Sequence, residues 1–270
     1  MKITFLGGGN MANALIGGLL KTGVEPGDIA VIELGAEART KLGESYGVRC
    51  YAAPELAALD CDALLLCVKP QQMREACAPL RPYLKTQLVI SIAAGLRLAD
   101  LSRWLGGYEK LVRTMPNTPA LIGAGVTGLY ALPAVSDAER IGAEHILQAV
   151  GSTLWIDDEM QMDAVTALSG SGPAYAFLFI EALQEAAARL GFTPGQARQL
   201  SIETALGAAR LAAQSDDPAS VLRERVTSKG GTTEAALRTM AERGVKDGIV
   251  AGILAANARG QELGQQLGKD

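Results

Sequence analysis

Gly7, Gly8 and Gly9, followed by Asn10, Met11 and Ala12, sit directly behind an apolar run that ends at Leu6. The spacing fits G-x-G-x-x-A at Gly7, Gly9 and Ala12, and each position has a physical use. Gly7 allows a tight turn, Gly9 lets a pyrophosphate approach the backbone, and Ala12 lets the following helix lie close to the strand. The unpaired amides at that helix start then face the phosphates. A lone glycine fingerprint equally describes a flexible turn. Here a strand precedes it and a helix follows it inside a βαβ unit, the context that a dinucleotide-binding loop requires. Leu6 to Met11 is therefore the first candidate binding segment.

Glu33 ends the second β-rich run, where an acid accepts hydrogen bonds from an adenosine ribose and repels a ribose 2′-phosphate, favouring NAD. Arg39, one or two turns into the next helix, offsets that charge and admits NADP; solvated surface charge is the plain alternative for both. The cofactor expected is NADPH or NADH. Other loops leave the carboxyl ends of strand candidates, the edge at which open α/β sheets bind ligands. Cys67-Val68-Lys69-Pro70 places a cation there, and Ser91-Ile92-Ala93-Ala94-Gly95 offers only small side chains, as close contact with a flat nicotinamide needs. Thr114-Met115-Pro116-Asn117-Thr118-Pro119 follows the next strand. Each loop alone also reads as a rigid connection.

A second constellation lies far along the chain, Thr227-Ser228-Lys229-Gly230-Gly231-Thr232-Thr233-Glu234, ahead of the apolar-periodic Ala235-Ala236-Leu237. Amides at a helix N-terminus lack intrahelical partners and point at whatever lies there. Two glycines permit close approach and the hydroxyls add donors, which makes a carboxylate cradle. An ordinary capped helix start, with Glu234 in the cap, is the equal alternative.

Loops of this kind need a sheet to hold them. Strand candidates are 3–6, 29–32, 48–51, 63–68, 88–92 and 111–114, with helix-length segments at 11–21, 36–46 and 71–80 between them. That alternation predicts βαβ units around a parallel sheet buried on both faces, with residues 125–130 and 153–156 adding edge strands. After about residue 157 helical periodicity takes over at 173–190, 194–213, 219–226, 232–243 and 244–263, with Pro173 and Pro194 in first turns. The expected fold is α/β: a Rossmann-like doubly wound sheet over residues 1–156, then an all-helical domain over 157–270. Apolar stripes on so many helices fit burial against a second subunit, or against the sheet domain of a monomer.

At 270 residues, 49% apolar and 20% charged, with a net charge of −4, the chain suits a soluble two-domain protein without bulk attraction to nucleic acid or anionic membrane. No apolar run approaches the roughly 18–20 residues of a membrane span. The start is read as neither a signal nor a transit peptide, so a cytoplasmic location is expected. Cys50, Cys61, Cys67 and Cys77 form no CxxC pair, and His145, the only histidine, lies in an amphipathic stretch. Neither a disulfide framework nor a zinc site is expected.

Six blocks together carry a resemblance: GGGNMA at 7–12, VKP at 68–70, SIAAG at 91–95, MPNTPA at 115–120, SGSGPAY at 169–175 and VTSKGGTTEAAL at 226–237. The chain resembles the pyrroline-5-carboxylate reductases over nearly its whole length. The resemblance implies an NAD(P)H-dependent reductase that makes proline from a cyclic imine. It implies a helical domain that dimerises, with the partner's signature segment helping to form the substrate pocket. It also implies that Ser228, Gly230, Gly231, Thr232 and Thr233 hold the substrate carboxylate, that Thr233 lies near the imine nitrogen, and that Glu159 is a substrate-contacting acid. Two departures touch contacts and not the reaction: Arg225 and Pro54 stand where some members have asparagine. A β-hydroxyacid dehydrogenase is the nearest rival, but it uses a lysine after the glycine-rich helix start, and no lysine occurs between Lys110 and Lys229. A non-catalytic dinucleotide sensor has no use for the cradle.

Overall fold

The computed structural model describes residues 1–269. By contact they form two compact units, Met1–Ser171 together with the chain from Ala256 onward, and Gly172–Ala255. The division expected after residue 156 differs from this, for a reason given below.

In the first unit the strands are β1 (Ile3–Leu6), β2 (Ile29–Ile32), β3 (Arg49–Tyr51), β4 (Ala63–Leu66), β5 (Leu88–Ser91), β6 (Leu111–Met115), β7 (Gly125–Ala131) and β8 (Gly151–Trp155). Their order across the sheet is β3-β2-β1-β4-β5-β6-β7-β8. The first six run parallel, β7 is antiparallel to β6, and β8 is parallel to β7. The turn at β7 follows from chain length: residues 116–124 are too few for the crossover that a parallel neighbour needs.

Every residue of β1, β2, β4 and β5 is buried. Strands buried along their whole length require cover on both faces, and the sheet has it. On one face Ile3, Phe5 and Leu65 pack with Leu15 and Ile16 of α1 (Asn10–Lys21), Leu42 of α2 (Ala36–Tyr46) and Ile146 of a helix at Asp137–Gln148. On the other, Leu6, Leu64 and Leu66 pack with Met73 of α3 (Met73–Cys77) and Leu101 and Trp104 of α4 (Leu98–Trp104). The helix expected over 71–80 is broken into a 3-10 turn at Pro70–Gln72, α3, and a second 3-10 turn at Ala78–Leu80. Pro79 has no N–H to continue it.

The helix at Asp137–Gln148, α5, opens on a capping box between Ser136 and Glu139. After β8 come α6 (Gln161–Val165) and a π-helical turn at Thr166–Gly170. These belong with the sheet because Arg113 on β6 reaches into them, and because a Cβ on Gly128 of β7 would lie 2.7 Å from Val165 Cγ1. The end of the chain joins the sheet as well, with Leu267 packed on the second core and Gly264 against the Gly95 carbonyl.

The second unit holds α7 (Gly172–Arg189), α8 (Pro194–Ala213), α9 (Ala219–Arg225), α10 (Thr232–Glu242) and the first part of α11 (Val245–Leu267). Thr193 and Gln196 form a capping box ahead of α8, with Pro194 at its first position. Within this unit the buried residues are small, Ala187, Ala197 and Ser201.

Candidate active site

The parallel strands β1, β4, β5 and β6 are direct neighbours, so Gly7–Asn10, Cys67–Pro70, Ile92–Gly95 and Pro116–Asn117 all leave one edge of the sheet. Chain order reverses between β1 and β4, and the glycine loop lies at that switch point, where doubly wound sheets bind ligands. Gly7 has φ +98°, and an added Cβ would stand 3.0 Å from the Cys67 carbonyl oxygen. Only glycine fits there. Gly9 is the N-cap of α1 with no side chain capping it, and its Cβ position opens on free space. The first-turn amides of α1, which lack intrahelical acceptors, are thus accessible to an anion. These residues fit a dinucleotide pyrophosphate. Asn13, not singled out from sequence, donates from Nδ2 to the carbonyls of Gly8 (2.8 Å) and Gly9 (2.9 Å) and braces the loop.

The other sequence candidates fall into distinct roles. Glu33 stands at the end of β2 and accepts from the amides of Gly8 and Gly35, both at 2.9 Å. Lys69 is exposed and opens the turn at Pro70. Ala93 is buried in the second core, while Ala94 is half-buried beside it. The Cys67 thiol is pushed up by burial, so it stays protonated and apolar. Asn117 is a clamp. Its Nδ2 donates to the Ser169 carbonyl at 3.2 Å and its Oδ1 accepts from Val126 N at 3.0 Å, tying the π-helical turn to β7.

Glu159 lies in an ion cluster of the first unit. Its Oε1 accepts from Leu98 N (2.7 Å) and from Arg113 Nη1 (3.2 Å), while Arg113 Nη2 donates to Asp163 at 3.1 Å. Arg113 is 2% exposed, and its Nε has no hydrogen-bond partner among the described residues. Sequence reasoning missed this arginine. Its partners lie 46 and 50 residues away, beyond any local pattern.

In the second unit Gly230 takes φ +74° and Gly231 is the N-cap of α10, with no side-chain cap. The two glycine amides are engaged locally: Gly230 N donates to Glu234 Oε2 (2.6 Å) and Gly231 N to the Ser228 carbonyl (3.0 Å). The glycines shape the turn, and the first-turn amides of Thr232 and Thr233 are the ones without an intrahelical acceptor. Thr232 is exposed and Thr233 half-buried.

Fold, switch point and loop define a Rossmann-type dinucleotide-binding protein. A family model described as pyrroline-5-carboxylate reductase dimerisation matches residues 159–263, and one described as NADP oxidoreductase, coenzyme F420-dependent, matches residues 2–95. The pyrroline-5-carboxylate reductase of Pseudomonas aeruginosa is 46% identical over 269 residues, covering 99% of this chain and 98% of that protein. The structure of a pyrroline-5-carboxylate reductase from Coxiella burnetii superposes with a TM-score of 0.92 at 40% identity, over 97% of this chain and 98% of that one. The Plasmodium falciparum pyrroline carboxylate reductase with NADP bound gives 0.87 at 27% identity, over 98% of each. The chain belongs to the pyrroline-5-carboxylate reductase family, a family of NAD(P)-dependent oxidoreductases. The dimerisation model starts at residue 159, inside the segment that packs on the sheet, so it spans parts of both compact units.

Proposed function

We propose that this chain reduces 1-pyrroline-5-carboxylate to L-proline with NADPH or NADH, the last step of proline biosynthesis, as a cytoplasmic homodimer. The observation that carries this reading is the uncapped start of α10, set behind a left-handed Gly230 in a chain that also carries a glycine loop at its sheet's switch point. A dinucleotide sensor needs the loop alone, and a β-hydroxyacid dehydrogenase needs a lysine that this chain lacks between residues 110 and 229.

The amides of Thr232 and Thr233, with the hydroxyls of Ser228 and Thr232, hold the substrate carboxylate at the positive end of α10. Thr233 Oγ1 hydrogen-bonds the ring nitrogen. Protonated in solution, that nitrogen draws the C=N electron pair, so the protein needs no strong acid and works by positioning. The reduced nicotinamide, when bound, supplies a hydride to the C=N carbon. The small side chain of half-buried Ala94 lets the nicotinamide lie close to this loop. Glu159, whose Oε1 is held by Arg113 and Leu98, is the substrate-contacting acid of this reading. The helical unit leaves Phe177 and Phe179 exposed, which supports pairing with a second copy that completes the pocket.

The test is the loss of NADH or NADPH absorbance on adding pyrroline-5-carboxylate, with proline as the product. Dinucleotide binding without substrate-dependent oxidation would overturn the assignment.

A further inference from the structure

The end of β2 is built more tightly than a generic ribose site requires. Glu33 Oε2 accepts from Gly8 N and Oε1 from Gly35 N, both at 2.9 Å. A carboxylate offers about four acceptor sites, so each oxygen keeps one free. Gly8 occupies a variable position of the glycine fingerprint, yet here it has a use of its own. A Cβ on it would lie 3.4 Å from Glu33 Oε2 and 2.5 Å from Leu42 Cδ1. A side chain there would have to displace the tip of Leu42 beside the amide that holds the acid.

Arg39, the cation that could neutralise a phosphate here, is turned inward. Its Nη1 donates at 2.7 Å to the carbonyls of both Glu33 and Leu34 and closes the β2–α2 turn. Glu37, in the first turn of α2, adds a second carboxylate. Leu34, next to Glu33, is 83% exposed and offers an apolar face for an adenine ring.

Building on the dinucleotide-dependent reading above, we infer that this chain selects NADH over NADPH, with Glu33 as the determinant. Ribose 2′- and 3′-hydroxyls donate to the carboxylate oxygens left free. A 2′-phosphate takes away the 2′-hydroxyl donor and, carrying about −1.5 to −2 at neutral pH, sets like charge against a fixed carboxylate. With Nη1 held in the turn, only Nε and Nη2 of Arg39 remain to meet a phosphate, and the Glu33 carboxylate stays beside it.

Titration calorimetry with NAD⁺ and with NADP⁺, on the full chain without pyrroline-5-carboxylate, reads the preference directly. NAD⁺ is expected to bind roughly tenfold or more tightly than NADP⁺, the scale of a like-charge penalty in a partly solvated site. Glu33→Gln and Glu33→Ser each narrow that ratio, chiefly by tightening NADP⁺. Equal or tighter NADP⁺ binding by the unaltered chain overturns the inference and leaves the oxidoreductase reading standing, because a dinucleotide still binds. An unchanged ratio in a folded variant removes Glu33 as the determinant. Binding of neither dinucleotide takes down both.

Discussion

In the sheet unit all residues of β1, β2, β4 and β5 are buried and both faces are covered by helices of the same chain. In the helical unit α7 holds Phe177, Leu178 and Phe179 out at 66, 65 and 52% exposure, and α11 does the same with Ile249 and Leu254. Fully burying such a side chain stabilises by about 1.5–3 kcal/mol. The four central strands of the first unit collect that energy within the chain, whereas α7 and α11 leave much of theirs for another surface. On the function proposed above, the cofactor half of the site lies within one chain, and the exposed helices of the substrate half are the part that a second copy would complete.

The strongest way to break this contrast is to charge the exposed apolar face. Phe177→Asp combined with Phe179→Asp is expected to weaken self-association by at least about 4 kcal/mol, roughly a thousandfold, because two carboxylates lose their hydration at the contact. Reductase activity falls with assembly while NAD⁺ binding by the sheet unit persists. Sedimentation velocity and calorimetry measure the two separately. A fully active monomer would remove the distinction between the units.

Arg113 tests the self-sufficient half. Arg113→Met leaves Asp163, itself buried, without its counter-charge, and Glu159 loses its guanidinium partner. Stripping one partner from a buried ion cluster costs about 3 kcal/mol or more. A urea midpoint lowered accordingly, with assembly intact under native conditions, is the expected result. A change below roughly 1 kcal/mol would mean that water, and not Arg113, solvates these acids.

Thr233→Ala addresses the other half more gently, since it removes one hydroxyl from the half-buried start of α10. A hydrogen bond to a charged group contributes about 1.5–3 kcal/mol, so kcat should drop roughly ten- to hundredfold. The dissociation constant for NADH should stay where it is. Equal turnover by the variant would take Thr233 out of the reaction.

How much of this was legible beforehand differs between the same two regions. The strands were read from β-rich apolar runs, and α7 and α8 from Pro173 and Pro194 near their starts. Prolines also misled: the apolar spacing over 71–80 reads as one helix, but Pro79 divides it. The π-helical turn at Thr166–Gly170 has no compositional signature, because an i→i+5 bond demands no particular side chain. The helix start behind Gly231 was readable, and the local pairing of the loop's amides was not. Gly230 and Gly231 read as positions of close approach, and the fold adds that Glu234 and Ser228 accept from their amides. The bonds that the Asn117 side chain makes to Val126 and Ser169 were equally out of reach of the sequence. In each case the competing partner is fixed by the folded backbone, which spacing alone does not reveal.

The smallest effect expected at neutral pH comes from the buried acids of the sheet unit, which sharpen the contrast only in alkali. Tyr108 donates to the Gln87 carbonyl at 2.5 Å, and burial, aided by the charges of Glu139 and Cys61, pushes its phenol from 10.0 up to about 12. Burial likewise lifts Cys77 from 9.0 to about 12. Between the unfolded and folded values the unfolded chain has released protons that the native sheet unit still holds, so stability falls as pH rises. It is fully present below about pH 9, declines first through Cys77 and then also through Tyr108, and is spent near pH 12. Tyr108→Phe should flatten the part of the slope above pH 10 in denaturant midpoints measured against pH, and native Cys77 should resist alkylation throughout. A variant as steep as the parent above pH 10 would show that Tyr108 ionises freely, and that this face of the sheet is wetter than its packing implies.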